Sequence, residues 1–329
     1  MLGTLAWGVG CGPSQPPAPP GPPPVALHLA PACDLAPAAG LGWVIDARPR
    51  EIAANTDLIP VIATVIPEAR FQAFTERHGG VDLRQTTDLC VAHYKDTTLS
   101  VARAPFDPAR VEKSFQNAVT VPGGRVVEVP NPPVVRLWGE VTGEAQTVVL
   151  FGREAIAFEQ GKSGPARAAS AFAQGKLKRA VPALHGAALS RAATLLGDAP
   201  LRVLAPGPFE GETAQGLGGL LRATTAVGAS ARFVGAPAKI EVTLVLTGAW
   251  EKDAPQAAER LAAAAHVVAE TGMGRLFGVD RPLEGPKVKG VADHLVLTAT
   301  IDGAALAKGL HDALDAEVAE IFGVGREKK

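Results

Sequence analysis

The chain has 329 residues, enough for one large domain or two smaller ones, and 47% of them are hydrophobic, too many for general disorder. A formal net charge of −1 lacks the basic excess of a nucleic-acid binder. One tyrosine and four tryptophans count against the aromatic-rich surfaces of sugar-binding and promiscuous protein-binding modules, and no run of 18 apolar residues is present to span a membrane as a helix.

Residues 2–10 (LGTLAWGVG) form a short uncharged apolar run that ends at Cys11 and is followed at once by GPSQPPAPPGPPP. The run is too short to cross a bilayer but fits the core of a signal peptide, and the small Gly10 suits a peptidase that tolerates little bulk at its cleavage site. This layout resembles a bacterial lipoprotein signal, in which the lipobox cysteine becomes the lipidated N-terminus. The resemblance implies lipidation of Cys11, and Gly12 in place of Asp implies sorting to an outer membrane, facing the periplasm or the cell surface. An ordinary secretory signal is the alternative. The Pro-rich run 13–24 reads as a stiff spacer of about 35–40 Å in polyproline II geometry.

With Cys11 set aside, Cys33 and Cys90 remain as an even pair, and an oxidising envelope compartment makes a Cys33–Cys90 disulfide the expected use. The alternatives are two buried inert thiols, or a Cys33 too distant to pair.

The body begins with a strand at 42–47. Residues 57–78 read as helix, interrupted by Pro60 and Pro67 and stopped by Gly79-Gly80. Strands follow at 88–94 and 98–104, then a helix capped by Asp107 with Pro108 in its first turn and Val111, Phe115 and Val119 on one face. Strands are expected at 126–129, 134–141 and 147–158, and 166–196 reads as mostly helical with a break near Pro182. A strand at 201–204 and a small-residue helix at 216–227 complete the middle. The best strand is 239–247, where Ile240, Val242, Leu244 and Leu246 alternate. An Ala-rich helix at 253–271, a strand at 294–301 and a last helix capped by Asp302, with stripe Leu306, Leu310, Leu314 and Val318, end the chain.

The two ends share more than element order. Gly80-Val81-Asp82 is matched by Gly278-Val279-Asp280, and Asp107-x-Ala109-x-Val111-x-Lys113-x-Phe115 by Asp302-x-Ala304-x-Leu306-x-Lys308-x-Leu310. We read a duplicated β-α-β-β-α unit. The expected fold is α+β, a largely antiparallel sheet with helices on one face. The expected division is signal 1–10, tether 11–40, first unit 41–160, helical middle 161–235 and second unit 236–329.

Signals for catalysis are poor. Gly161-Lys162-Ser163 lacks the glycine five positions earlier that a phosphate loop needs, since Ile156 stands there. Gly216, Gly218 and Gly219 read as a packing face, and Gly272-Met273-Gly274 with Gly278 as the end of a helix rather than a dinucleotide fingerprint. Asp88 and His93, five apart on one strand, point to opposite faces, which argues against joint metal ligation, and His266 reads as a core or edge histidine. No HExxH, CxxC, GxSxG or SxxK pattern occurs. We expect no catalytic or metal-binding residues and no cofactor.

The whole layout resembles the lipoproteins of GC-rich Gram-negative bacteria, with lipobox, Pro-rich spacer and duplicated α+β body. That resemblance implies a membrane anchor and supplies no active-site residues. The favoured function is a non-enzymatic envelope module for a partner protein, a lipid or another apolar ligand, held in an apolar groove between helices and sheet. The alternative is a periplasmic hydrolase of envelope polymers with dispersed catalytic residues, which a cleft of converging carboxylates or histidines would favour.

Overall fold

The computed structural model describes residues 24–321 apart from 163, 236–237, 272–273 and 275–278. Cys11 and the spacer up to residue 23, Ser163, most of the Gly272–Gly278 patch, and the side chains of Leu314 and Val318 lie outside the described residues.

Among the described residues, twelve strands form one antiparallel sheet and eight helices pack on it, so the protein is α+β. The strands are β1 (Leu41–Ala47), β2 (Asp88–Tyr94), β3 (Thr97–Arg103), β4 (Val121–Pro130), β5 (Pro133–Val141), β6 (Glu144–Phe151), β7 (Ala155–Gln160), β8 (Leu201–Pro206), β9 (Thr224–Phe233), β10 (Lys239–Gly248), β11 (Glu284–Val291) and β12 (His294–Asp302). Their order is β11-β12-β10-β9-β8-β1-β2-β3-β7-β6-β5-β4. Six hairpins dominate, β2-β3, β4-β5, β5-β6, β6-β7, β9-β10 and β11-β12, because short turns such as Lys95-Asp96 and Thr142-Gly143 reverse the chain between β-branched runs. The expected strand 147–158 is two strands, β6 and β7, folded at Gly152 to Glu154.

The helices are α1 (Pro49–Ala54), α2 (Ile59–Val65), α3 (Glu68–Arg77), α4 (Pro108–Ala118), α5 (Pro165–Ala173), α6 (Ala187–Leu196), α7 (Ala254–Glu270) and α8 (Gly303–Ile321). They cover both faces of the sheet rather than one. Strand alternation sends Leu99, Val101, Val149, Phe151 and Val245 to a core shared with α5, α6 and a 3-10 turn at Ala32–Leu35. Their neighbours Ala102, Val148 and Leu150 pack under α4, and Leu246, Leu295 and Leu297 pack under α7 on the opposite face. No described helix is long and apolar enough to cross a membrane.

Two domain boundaries move. The tether was expected to reach residue 40, but Leu29, Ala32, Cys33, Leu35 and Ala36 are buried in the main core, and Cys33 is joined to Cys90 with Cα atoms 5.0 Å apart. The span 161–235 was expected to be mostly helical with one strand at 201–204; that strand is β8, but the end of the small-residue helix expected at 216–227 is instead the start of β9, and the two strands tie the ends of the chain into one sheet. The β-α-β-β-α order recurs along the chain, as β1 to α4 and as β10 to α8. In space the two runs differ: the first lies as β1-β2-β3, the second as β10-β12-β11.

The helix ends follow the local chemistry. Asp107 accepts the Ala109 N–H at 3.0 Å, and Asp302 accepts the Ala304 N–H at 2.7 Å. Each side chain satisfies a donor that the first helical turn leaves open. Asp107→Ala and Asp302→Ala should each lower stability by about 1 kcal/mol in urea unfolding, while the Asn variants stay near wild type. Equal losses for Asn and Ala would contradict the capping role. Gly79, at φ +66°, is fixed by packing as well as by conformation, since a Cβ there would lie 2.5 Å from the Cα of Val111 in α4.

Candidate functional site

The helical hairpin between β1 and β2 is built from short, interrupted pieces. Pro49 and Pro60 start α1 and α2, and Pro67, lacking a donor, separates α2 from α3. Within α2 and its end, Ile59, Ile62, Ala63 and Ile66 recur at the spacing that places apolar residues on one helical face. Such a stripe ordinarily fills a core. Here no residue of α1, α2 or α3 is buried, and Ile59 is 53% exposed. The stripe instead lines one wall of a cavity of about 460 Å³.

The other walls are Ile52 and Ala53 of α1, Phe71 of α3, and Leu83, with Leu89 of β2 contributing from the sheet. Polar groups gather at one rim. Arg84 donates to Glu68 at 2.8 Å and to both oxygens of Asp82 at 2.9 Å from its backbone and 3.1 Å from its guanidinium, which also lies 5.1 Å over the Phe71 ring. Burial pushes the Asp82 carboxyl up, but the Arg84 hydrogen bonds and charge outweigh it and hold the group below its ordinary range. Arg84 is therefore occupied by its neighbours, and the groove presents an apolar slot with a closed ionic rim. Its volume falls in the usual range for small-molecule sites, roughly 300–1,000 Å³, and its lining suits a hydrocarbon.

A second, polar cleft of about 590 Å³ lies beside the N-terminus of α5, among β5, β6 and β7. Glu159 is only 5% exposed and accepts the Ala166 N–H at 2.6 Å. Burial pushes its carboxyl above the usual range, against the opposing effects of that hydrogen bond and of Arg167 and Arg136. Nearby, Glu128 pairs with Arg136 at 2.7 Å and also accepts from Ser170 and Gln174.

A carboxyl whose folded-state affinity for the proton is raised stabilises the fold fully below its ordinary titration range, and that contribution is lost as pH rises through the raised value. Glu159→Gln should therefore raise stability relative to wild type more at about pH 7 than at about pH 4, as read from urea midpoints. An equal change at both pH values would contradict an ionised, buried Glu159.

The structure separates the residues that sequence spacing could have grouped. Asp88 turns to one face, where it accepts the Ala32 N–H at 2.5 Å. His93 turns to the other, stacked 5.2 Å from Trp43 and bonded to Thr98 at 3.1 Å. His78 is stacked on Phe74 and donates to its carbonyl, with burial lowering its affinity for the proton. His266 is exposed beside Glu270 rather than in the core. Among the described residues no cluster of His, Cys, Asp and Glu could hold a metal ion.

Sequence reasoning missed Glu159, although a signal was present. In Ala155-Ile156-Ala157-Phe158-Glu159, period two puts Glu159 on the same inward face as Ala155 and Ala157.

Neither a family model nor a curated protein sequence matches the chain. It is similar to two solved structures, crystal forms III and IV of TP0453. The first has a TM-score of 0.49 and 12% identity and covers 87% of this chain and 99% of that one. The second has a TM-score of 0.47 and 10% identity and covers 86% and 99%.

Proposed function

We propose that the protein is a lipid-anchored module of the bacterial cell envelope, held through Cys11, that takes the alkyl chain of a lipid into the groove beneath α1, α2 and α3 without catalysing a reaction. The observation that carries this reading is the apolar stripe Ile59, Ile62, Ala63 and Ile66, which faces an open cavity where a core would be expected. Covering one such side chain contributes about 1.5–3 kcal/mol, so a chain of methylenes laid along the stripe has a clear driving force. The closed ionic rim of Arg84, Glu68 and Asp82 leaves no charge seeking a partner, which favours affinity from hydrocarbon over affinity from a head group.

The anchor rests on the sequence: the apolar run before Cys11 and the Pro-rich spacer after it. A body held close to a membrane meets lipid at high local concentration, which suits a carrier or sensor of modest affinity.

The test is a titration of the full chain with a fluorescent alkyl probe, competed by straight-chain detergents of increasing length. Saturable binding at one site, with competition that strengthens with each methylene, supports the reading. Competition independent of chain length contradicts it. The anchor is tested separately, by the intact mass of protein from the membrane fraction of a Gram-negative host. A chain starting at Cys11 with added acyl mass is expected, and an unmodified chain starting at Met1 would remove the tether from the proposal.

A further inference from the structure

We propose that the polar cleft beside α5, separate from the apolar groove, binds a short peptide with free termini, its ammonium group at Glu159 and its carboxylate at Lys162 and Arg167.

Glu159 is 5% exposed, and its carboxylate lies in the cleft wall. One oxygen accepts the Ala166 N–H, and no described residue donates to the other or pairs with the carboxylate as an ion pair. The second oxygen opens into the cleft, where a donor can reach it, and a cation serves it best. Arg136 cannot fill that role by moving, because it is held by Glu128 and stacked 4.9 Å over the Trp138 ring.

Lys162 and Arg167 stand exposed on the cleft rim, and neither side chain has a hydrogen-bond or ion-pair partner among the described residues. Two cations without a hydrogen-bond partner among the described residues, one of them, Arg167, close enough for its charge to act on Glu159, stand beside a carboxylate oxygen open to the cleft and select against simple ions. An inorganic anion meets Glu159, and a simple cation meets Lys162 and Arg167. A zwitterion satisfies both ends. Gln146 and Thr147, which line the wall between, can serve the peptide amides. A neighbouring cavity of about 580 Å³ shares Ala145, Gly161 and Lys162 with the cleft, so a ligand longer than one residue has room to continue.

The experiment is calorimetry of the full chain with trialanine, N-acetyl-trialanine and trialanine amide. Trialanine should bind saturably, and blocking either terminus should weaken it by about tenfold or more. Glu159→Gln should lose the preference for the free amine, and Lys162→Glu the preference for the free carboxylate. Lys162 is exposed, so its variant keeps the test valid if Glu159→Gln fails to fold. Equal affinity of the free and blocked peptides, or no saturable binding of trialanine at millimolar concentration, overturns the proposal. Tighter binding of a neutral oligosaccharide than of trialanine does so as well.

Discussion

Replacing Cys33 and Cys90 together by Ala should lower the stability of the protein by about 2–5 kcal/mol, with chain entropy alone giving about 4 kcal/mol for a closed loop of this size. The bond joins residues 57 apart, and the loop between them holds β1, α1, α2, α3 and the start of β2, which is the whole of the apolar groove. The segment it pins pairs with no neighbouring strand of the sheet. It is held by scattered hydrogen bonds, such as His28 N–H to Ala173, Ala32 N–H to Asp88 and Tyr94 O–H to Pro37, and by burying Leu29, Ala32, Leu35 and Ala36. Urea unfolding of the oxidised wild type and the double variant measures the difference. A loss below about 1 kcal/mol would mean that packing alone holds the segment.

Phe151→Ala should cost about 3–5 kcal/mol. Phe151 is fully buried at the end of β6, in register with Val134 on one side and Ala155 on the other, and is the largest fully buried side chain in the core beneath the 3-10 turn and α5. Its register partners Val134 and Ala155 are small or β-branched and fixed by the sheet, so they cannot move in to fill the cavity left behind. The same unfolding experiment reads the loss, and a change under about 1 kcal/mol would show that the site repacks.

Much of the fold was legible where two signals agreed. Alternation plus a polar turn located β2 with β3, and an Asp before an apolar helical stripe located the starts of α4 and α8. β9 was not legible. Its run Thr224 to Phe233 is made of Thr, Ala, Gly and Ser with few large residues, so period two left little contrast, and the glycines at 216–219 suggested a helix. Without β9 the middle read as helical and the continuity of the sheet was hidden. The arrangement of helices on both faces was hidden for a related reason. Both inward and outward positions of β6, such as Val148, Val149, Leu150 and Phe151, are buried, and a continuous apolar run does not say which element covers which side.

The groove was only half legible. The helix over 57–78, broken at Pro60 and Pro67, was read from the sequence, but its stripe Ile59, Ile62, Ala63 and Ile66 was not singled out, and whether such a stripe fills a core or lines a cavity depends on what faces it across the hairpin. That is set by Ile52, Phe71 and Leu89, which come from separate elements.

The most direct measurement is the affinity of a fluorescent fatty acid for the full chain and for Ala63→Phe, a change that fills the groove from its exposed wall. The variant should keep the unfolding midpoint of wild type and lose at least about tenfold in affinity. Unchanged affinity in a folded variant would place the probe elsewhere and contradict the groove as the ligand site.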